Sequence, residues 1–314
     1  MAKNKYAKQP LTFSEQLELI KSRGLIVKDE EKAKSLFSQI SYFRLSAFFL
    51  PYQLEKDKFN TDVDFDQIVH TYSFDRELRL LVFDCIERIE IAIRTQMIYL
   101  MSRKYNNSHW QDDISLFKEP YQNQLGYTFD PYNELQKLII KATRAKHPEV
   151  FIKHYVKEYS APKNPPSWMC FELLTIGQLS RVYNGLKENK DKQLIANFFG
   201  LSHKVFTSWL HSLTYVRNIC AHHSRLWNRD LAIEPMVLKK PKLAWVDKRF
   251  EINQRTFYFL CSLQYLLKSA NPNNRFKQKL LELFLKYPTI PIQFMGIPSK
   301  DGILLKWENE PLWK

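Results

Sequence analysis

Between Arg217 and Arg229 the chain concentrates groups that move protons and hold phosphate. The run reads Arg217-Asn-Ile-Cys-Ala-His222-His223 and continues Ser224-Arg225-Leu-Trp-Asn228-Arg229. An imidazole exchanges its proton near neutral pH. It can therefore take the proton of a ribose 2′-hydroxyl or return one to a leaving 5′-oxygen. Arg217 or Arg225 can grip the phosphate and stabilise charge on a pentacoordinate transition state. RNA brings its own nucleophile, so this chemistry asks for no metal, no cofactor and no protein nucleophile.

These residues fall in an apolar pattern that predicts a helix over 203–228. At 100° per residue, Trp209, Leu213, Val216, Cys220, His223 and Trp227 share one stripe, which should face the core. His223 thus reads as a structural histidine with satisfied hydrogen bonds. His222 points away from that stripe, on a face with Asn218 and Arg225, and is the candidate proton-transfer group. Tyr215, Ile219, His222 and Leu226 form a second, weaker apolar row. A helix with two apolar rows contacts something on both sides, and a second subunit is one candidate for the second row.

The rest of the chain narrows the class. A formal charge of +14 over 314 residues points to a polyanionic partner, nucleic acid first and an anionic membrane surface second. Only 7 glycines and long apolar-periodic runs favour helices over hairpins. Cys85, Cys170, Cys220 and Cys261 lie far apart in apolar surroundings with no Cys-x-x-Cys pair. They read as buried thiols of a reducing compartment rather than metal ligands. The polar start lacks a signal core, and no run reaches the roughly 18 apolar residues of a membrane span. A cytoplasmic protein is expected.

Along the chain, residues 1–11 look like a flexible basic tail. Thr12 and Glu15 have capping-box spacing for a helix that Gly24 should stop. A second helix should start near Asp29, and Pro51 should end the aromatic segment 40–50. One or two helices are expected over 66–104. Their apolar face is Phe74, Leu78, Leu81, Cys85, Ile89 and Ala92. A long loop should fill 105–130, with helices at 132–145, 149–159, 168–186, 190–199 and 251–269. The Pro-containing end should wrap back over the helical body.

At these residues the chain resembles bacterial abortive-infection proteins of the AbiD/AbiF type, in the HEPN superfamily, whose hallmark is Arg-x4-6-His. The likeness extends beyond the motif. It includes Leu11-Thr-Phe-Ser-Glu-Gln16, Ile40-Ser-Tyr-Phe-Arg-Leu-Ser46 and Phe74-Asp-Arg-Glu-Leu-Arg79 leading into Glu87–Arg94. Pro166–Gly177, Met295-Gly-Ile-Pro298 and Pro311-Leu-Trp313 complete it. The resemblance implies an all-α, HEPN-type helical bundle with additional N-terminal helices and an irregular Pro-containing C-terminal tail. It suggests boundaries of 1–62, 63–270 and 271–314. It also implies a toxin-like RNase of anti-phage defence whose motifs, carried here by Arg217, Asn218 and His222, meet across a homodimer. RNA is then the substrate, a structured noncoding RNA a second partner, and no membrane is involved.

Other candidates carry two readings each. Glu87, Arg88, Glu90 and Arg94 either stand behind the motif or form a solvated face with a Glu90–Arg94 pair. Tyr42 and Arg44 either stack on and bind RNA or pack in an aromatic cluster. Arg229, Lys239, Lys240 and Lys242, and separately Arg275, Lys277 and Lys279, either hold phosphates or are surface charge. The remaining histidines, His211 among them, show no metal-ligand spacing. The whole is also compatible with a non-catalytic holder of a structured RNA, or with a protein-interaction module.

Overall fold

The computed structural model describes residue 5, residues 7–122 and residues 126–314. Much of the expected basic tail, residues 1–4 and 6, lies outside them. Twelve α-helices run through the described residues: α1 (Phe13–Ser22), α2 (Glu30–Ile40), α3 (Tyr42–Ser46), α4 (Phe65–Tyr105), α5 (Pro131–Thr143), α6 (Val150–Glu158), α7 (Ser167–Cys170), α8 (Ile176–Gly185), α9 (Asn189–Phe198), α10 (His203–Ala221), α11 (Thr256–Ala270) and α12 (Phe276–Lys286). Strands among these residues amount to three two-stranded antiparallel ribbons. The protein is all-α. No helix among the described residues is long and apolar enough to cross a membrane.

The chain forms two compact units. One is Met1–Arg79 with Glu282–Pro291, the other Leu80–Leu281 with Ile292–Lys314. Two of the three divisions between these units fall inside helices, one in α4 and one in α12.

In the first unit, local chemistry sets the helix ends. The Thr12 side chain accepts from the Glu15 N–H, and Glu15 accepts from the Thr12 N–H at 2.7 Å, which closes the anticipated capping box. Asp29 caps α2, and Gly24 sits at φ 90° just past the end of α1. Phe37, Tyr42, Phe49, Phe59 and Phe65 then pack edge to face. Asp75 and Arg79 form a buried ion pair at 2.9 Å. Pro51 does not end an element but lies inside the 3-10 turn Leu50–Tyr52.

In the second unit, α11 is buried on every side from Thr256 to Leu267, as a helix apolar all round must be. Trp307 and Trp313 of the C-terminal segment pack on its Phe257 at 5.6 and 6.2 Å. Helix α10 packs on α8 and α9, and α8 also on α5. The segment expected as one helix over 168–186 breaks into α7, a 3-10 turn and α8. Thr175 starts α8 afresh, with its N–H held by the Gln178 side chain at 2.8 Å. The segment 105–130 contains 3-10 turns and a short ribbon, and the C-terminal forty residues begin with α12. All four cysteines are buried free thiols. Burial pushes both Cys85 and Cys170 up to about 12, far from nucleophilic at neutral pH.

A candidate active site around Arg217

Helix α10 begins at Ser202, whose hydroxyl accepts from the Val205 N–H. Trp209, Leu213, Val216 and Cys220 are buried, as the helix wheel predicts. The helix is also tied down from outside. The Trp209 indole donates to the Met236 carbonyl at 2.8 Å and the Ser212 hydroxyl to the Ile233 carbonyl at 2.9 Å.

The end of α10 corrects the sequence expectation. The helix stops at Ala221, seven residues early. The His223 N–H bonds to the Cys220 carbonyl and the Ser224 N–H to the Ile219 carbonyl, at 3.2 and 3.0 Å. That pair of bonds is the Schellman turn, and it puts His223 in the left-handed region at φ 57°. His223 is therefore exposed, not a core residue, because the 100° wheel ends before it. His222, the cap residue, is exposed as well. Leu226 and Trp227 are fully buried in the following loop, and the Thr256 hydroxyl donates to the Leu226 carbonyl at 2.7 Å. The two histidines thus project from a tight turn anchored on both sides. The second apolar row is corrected too: the chain itself buries Ile219 and Leu226.

Arg217 lies just before the last turn of α10, with its guanidinium 5.6 Å from the centre of the Phe83 ring. It makes no ion pair among the described residues, and it borders two grooves. One, of about 250 Å³, lies against α4 and is lined by Phe83, Glu87, Glu90, Ile91 and Arg94. The other, of about 410 Å³, runs between α8 and α10. Besides Arg217 and Asn218, its lining includes Thr175, Ser180, Arg181, His211 and Thr214. The helices meet closely here, since a Cβ on Gly177 would lie 3.1 Å from the Thr214 methyl.

Glu90 feels the Arg217 charge. Burial pushes its carboxyl upward, against the opposing pull of Arg94 and Arg217 and of the Ile176 N–H. Arg94 pairs with Glu90 at 2.9 Å and donates to the Leu174 carbonyl at 2.9 Å. So Glu87, Glu90 and Arg94 stand beside Arg217. Arg88 does not. It is paired with Asp84 at 3.0 Å and lines a different cleft with Arg275 and Lys279.

The remaining candidates are scattered. His222 borders neither groove of its own chain. Arg225 and Arg229 are half-buried in the loop, where the Arg229 Nε donates to the Arg225 carbonyl. Lys239, Lys240 and Lys242 are exposed. Tyr42 and Arg44 belong to the first unit, where the Tyr42 hydroxyl accepts from Arg23 at 2.7 Å and its ring packs on Phe37 and Phe49. Among the described residues no group of three or more His, Cys, Asp or Glu is arranged to hold a metal.

Arg181 and His211 were not singled out from the sequence. Each had a signal. Gly177, Ser180 and Arg181 are spaced for one face of α8, and His211, Thr214 and Asn218 for one face of α10.

No curated protein and no solved structure matches the chain. The family model described as "Abi-like protein" matches residues 35–228, more than half of the chain, and its span ends just beyond the Arg217–His222 motif. The chain belongs to the Abi-like protein family.

Proposed function

We propose that this protein is a metal-independent endoribonuclease of abortive infection, working as a homodimer with Arg217 and His222 in a composite site. One observation carries the reading. Arg217 is a fixed cation with no ion pair among the described residues, held over Phe83 at the junction of two grooves. Such a group is preorganised for an anion, and a phosphate turning pentacoordinate is the anion its geometry suits. His222, exposed at the end of the same helix, supplies the acid–base step. The 2′-oxygen forms a bond to phosphorus as its proton leaves to an imidazole, and the bond to the 5′-oxygen breaks as that oxygen takes a proton. The products are a 2′,3′-cyclic phosphate and a free 5′-hydroxyl.

The dimer belongs to this proposal because His222 borders neither groove next to its own Arg217. A second copy can bring its His222 to that place. The same observation favours a second reading, in which the Arg217 grooves hold a structured RNA without cutting it. Incubating labelled RNAs in EDTA with wild type and His222→Ala tests both. The RNase reading predicts cutting by wild type alone, with cyclic phosphate ends and no cutting of DNA. RNA retained by wild type but never cut would favour the holder.

A further inference from the structure

We infer that Arg181 and His211 are positioning residues for the RNA backbone, and that the groove between α8 and α10 takes a single-stranded segment leading to Arg217. This rests on the reading of the protein as an RNA-directed enzyme, and it adds residues and a substrate form to it.

The first argument is charge. Arg181 and His211 line the groove together with Arg217, and no carboxylate lines it. Arg181 and His211 make no ion pair and no side-chain hydrogen bond among the described residues. On the neighbouring helix α4, by contrast, Arg94 is paired with Glu90 and Arg88 with Asp84. Two guanidinium groups, Arg181 and Arg217, share a groove whose lining has no carboxylate, which favours an anion there. Glu90 lines the other groove and is bound to Arg94.

The second argument is the rest of the lining. Ser180, Thr214 and Asn218 add hydroxyl and amide groups suited to phosphate and sugar oxygens. No Phe, Tyr or Trp side chain lines this groove, and the His211 imidazole is its one aromatic ring. One small ring is a limited stacking platform beside this many groups for phosphate and sugar. The expected ligand is a backbone read through its phosphates, with little sequence preference.

The third argument is size. The α10 wall, from His211 to Asn218, is about 10 Å long at the helical rise. A volume of about 410 Å³ is near the lower end for ligand pockets and suits a short stretch of one strand. A duplex, recognised across a wide and shallow minor groove, does not fit between two helices in such contact.

The test measures binding without cleavage. A fluorescein-labelled 2′-O-methyl RNA 12-mer has no free 2′-hydroxyl and stays intact, so affinity is read whether or not the protein is a nuclease. Titrations across a salt series with wild type, Arg181→Gln, Arg181→Lys and His211→Asn should show Arg181→Gln binding about five- to tenfold more weakly. Its log–log salt slope should be smaller by about 0.7, the loss of one single-strand phosphate contact. Arg181→Lys should recover most of the affinity, and His211→Asn should weaken binding by a smaller factor. A general structural defect would lower affinity without that slope change or that rescue. Arg181→Gln and His211→Asn binding like wild type, at the wild-type slope, would overturn the inference even if wild type cuts RNA. The expected losses in a protein that cuts no RNA would uphold the groove and remove the nuclease.

Discussion

Helices α9 and α10 are consecutive and end in the same way, yet they use different residues at the decisive position. After α9, the Gly200 N–H bonds to the Asn197 carbonyl and the Leu201 N–H to the Ala196 carbonyl, at 3.0 and 3.1 Å. Gly200 holds φ 64° there, the left-handed position that glycine adopts without penalty. After α10 the same two bonds put His223 at φ 57°. A side chain in that conformation costs about 1 kcal/mol or more. The α9 turn is interior: a Cβ on Gly200 would lie 3.2 Å from the Tyr265 hydroxyl, and Leu201 is buried. The α10 turn is exposed and carries two imidazoles. His223 thus keeps a backbone strain that glycine would relieve.

The largest contrast should appear in catalysis. Arg217→Ala and His222→Ala should each lower RNA cleavage by about 10³-fold. Gly200→Ala should leave the cleavage rate of the folded protein near wild type. Single-turnover assays on purified proteins decide this, and a Gly200→Ala rate as low as that of His222→Ala would erase the difference between the two turns.

Next in size is a buried charge on α9. Burial, helped by Lys118, pushes the Lys192 ammonium from 10.5 down to about 8. Between those values the folded chain binds fewer protons than the unfolded one, so stability rises with pH across that window. Below about pH 8 the full penalty is present. Lys192→Met should therefore raise stability at pH 7 by up to about 3 kcal/mol. The gain should vanish above pH 10.5, and parallel denaturant titrations at pH 7 and 10.5 measure it.

The turns themselves come third. Gly200→Ala should destabilise by about 1–2 kcal/mol. His223→Gly should be more stable than His223→Ala by about 1 kcal/mol. Both His223 variants lose the same imidazole, so its contacts cancel and only the backbone cost remains. Equal thermal midpoints for the two would show that the left-handed turn at 223 is not strained.

The smallest effect concerns Glu90. Burial raises its carboxyl, so the folded chain holds that proton more tightly than the unfolded one. Stability should fall as pH rises from the ordinary carboxylate value through the raised one. Glu90→Gln should flatten this slope and raise the melting temperature slightly at pH 7. A variant with the wild-type slope would assign the pH dependence elsewhere.

Much of this was legible in residue types. Thr12 with Glu15, Asp29 and Gly24 announce their caps, and Phe74, Leu78, Cys85 and Ile89 announce a buried face of α4, whereas Leu81 and Ala92 are only half-buried. The end of α10 was not, because nothing at 222–224 is a glycine or proline. A histidine in a left-handed turn is fixed by two backbone bonds and by the anchors Leu226 and Trp227. The helix wheel therefore ran on through His223 and gave Ile219 and Leu226 to a partner. The α8–α10 groove escaped for another reason. Each helix shows its polar face, but only the packing of Gly177 on Thr214 brings the two faces together. His211 shows no metal-ligand spacing, and only the fold makes it a groove residue.

The composite site is most directly tested by mixing Arg217→Ala with His222→Ala in EDTA and following cleavage of a labelled single-stranded RNA. Each variant alone should be inactive, and the mixture should regain a substantial fraction of wild-type cutting, because a mixed dimer joins one intact Arg217 to one intact His222. A mixture as inactive as its parts, or His222→Ala cutting alone at the wild-type rate, would contradict the account.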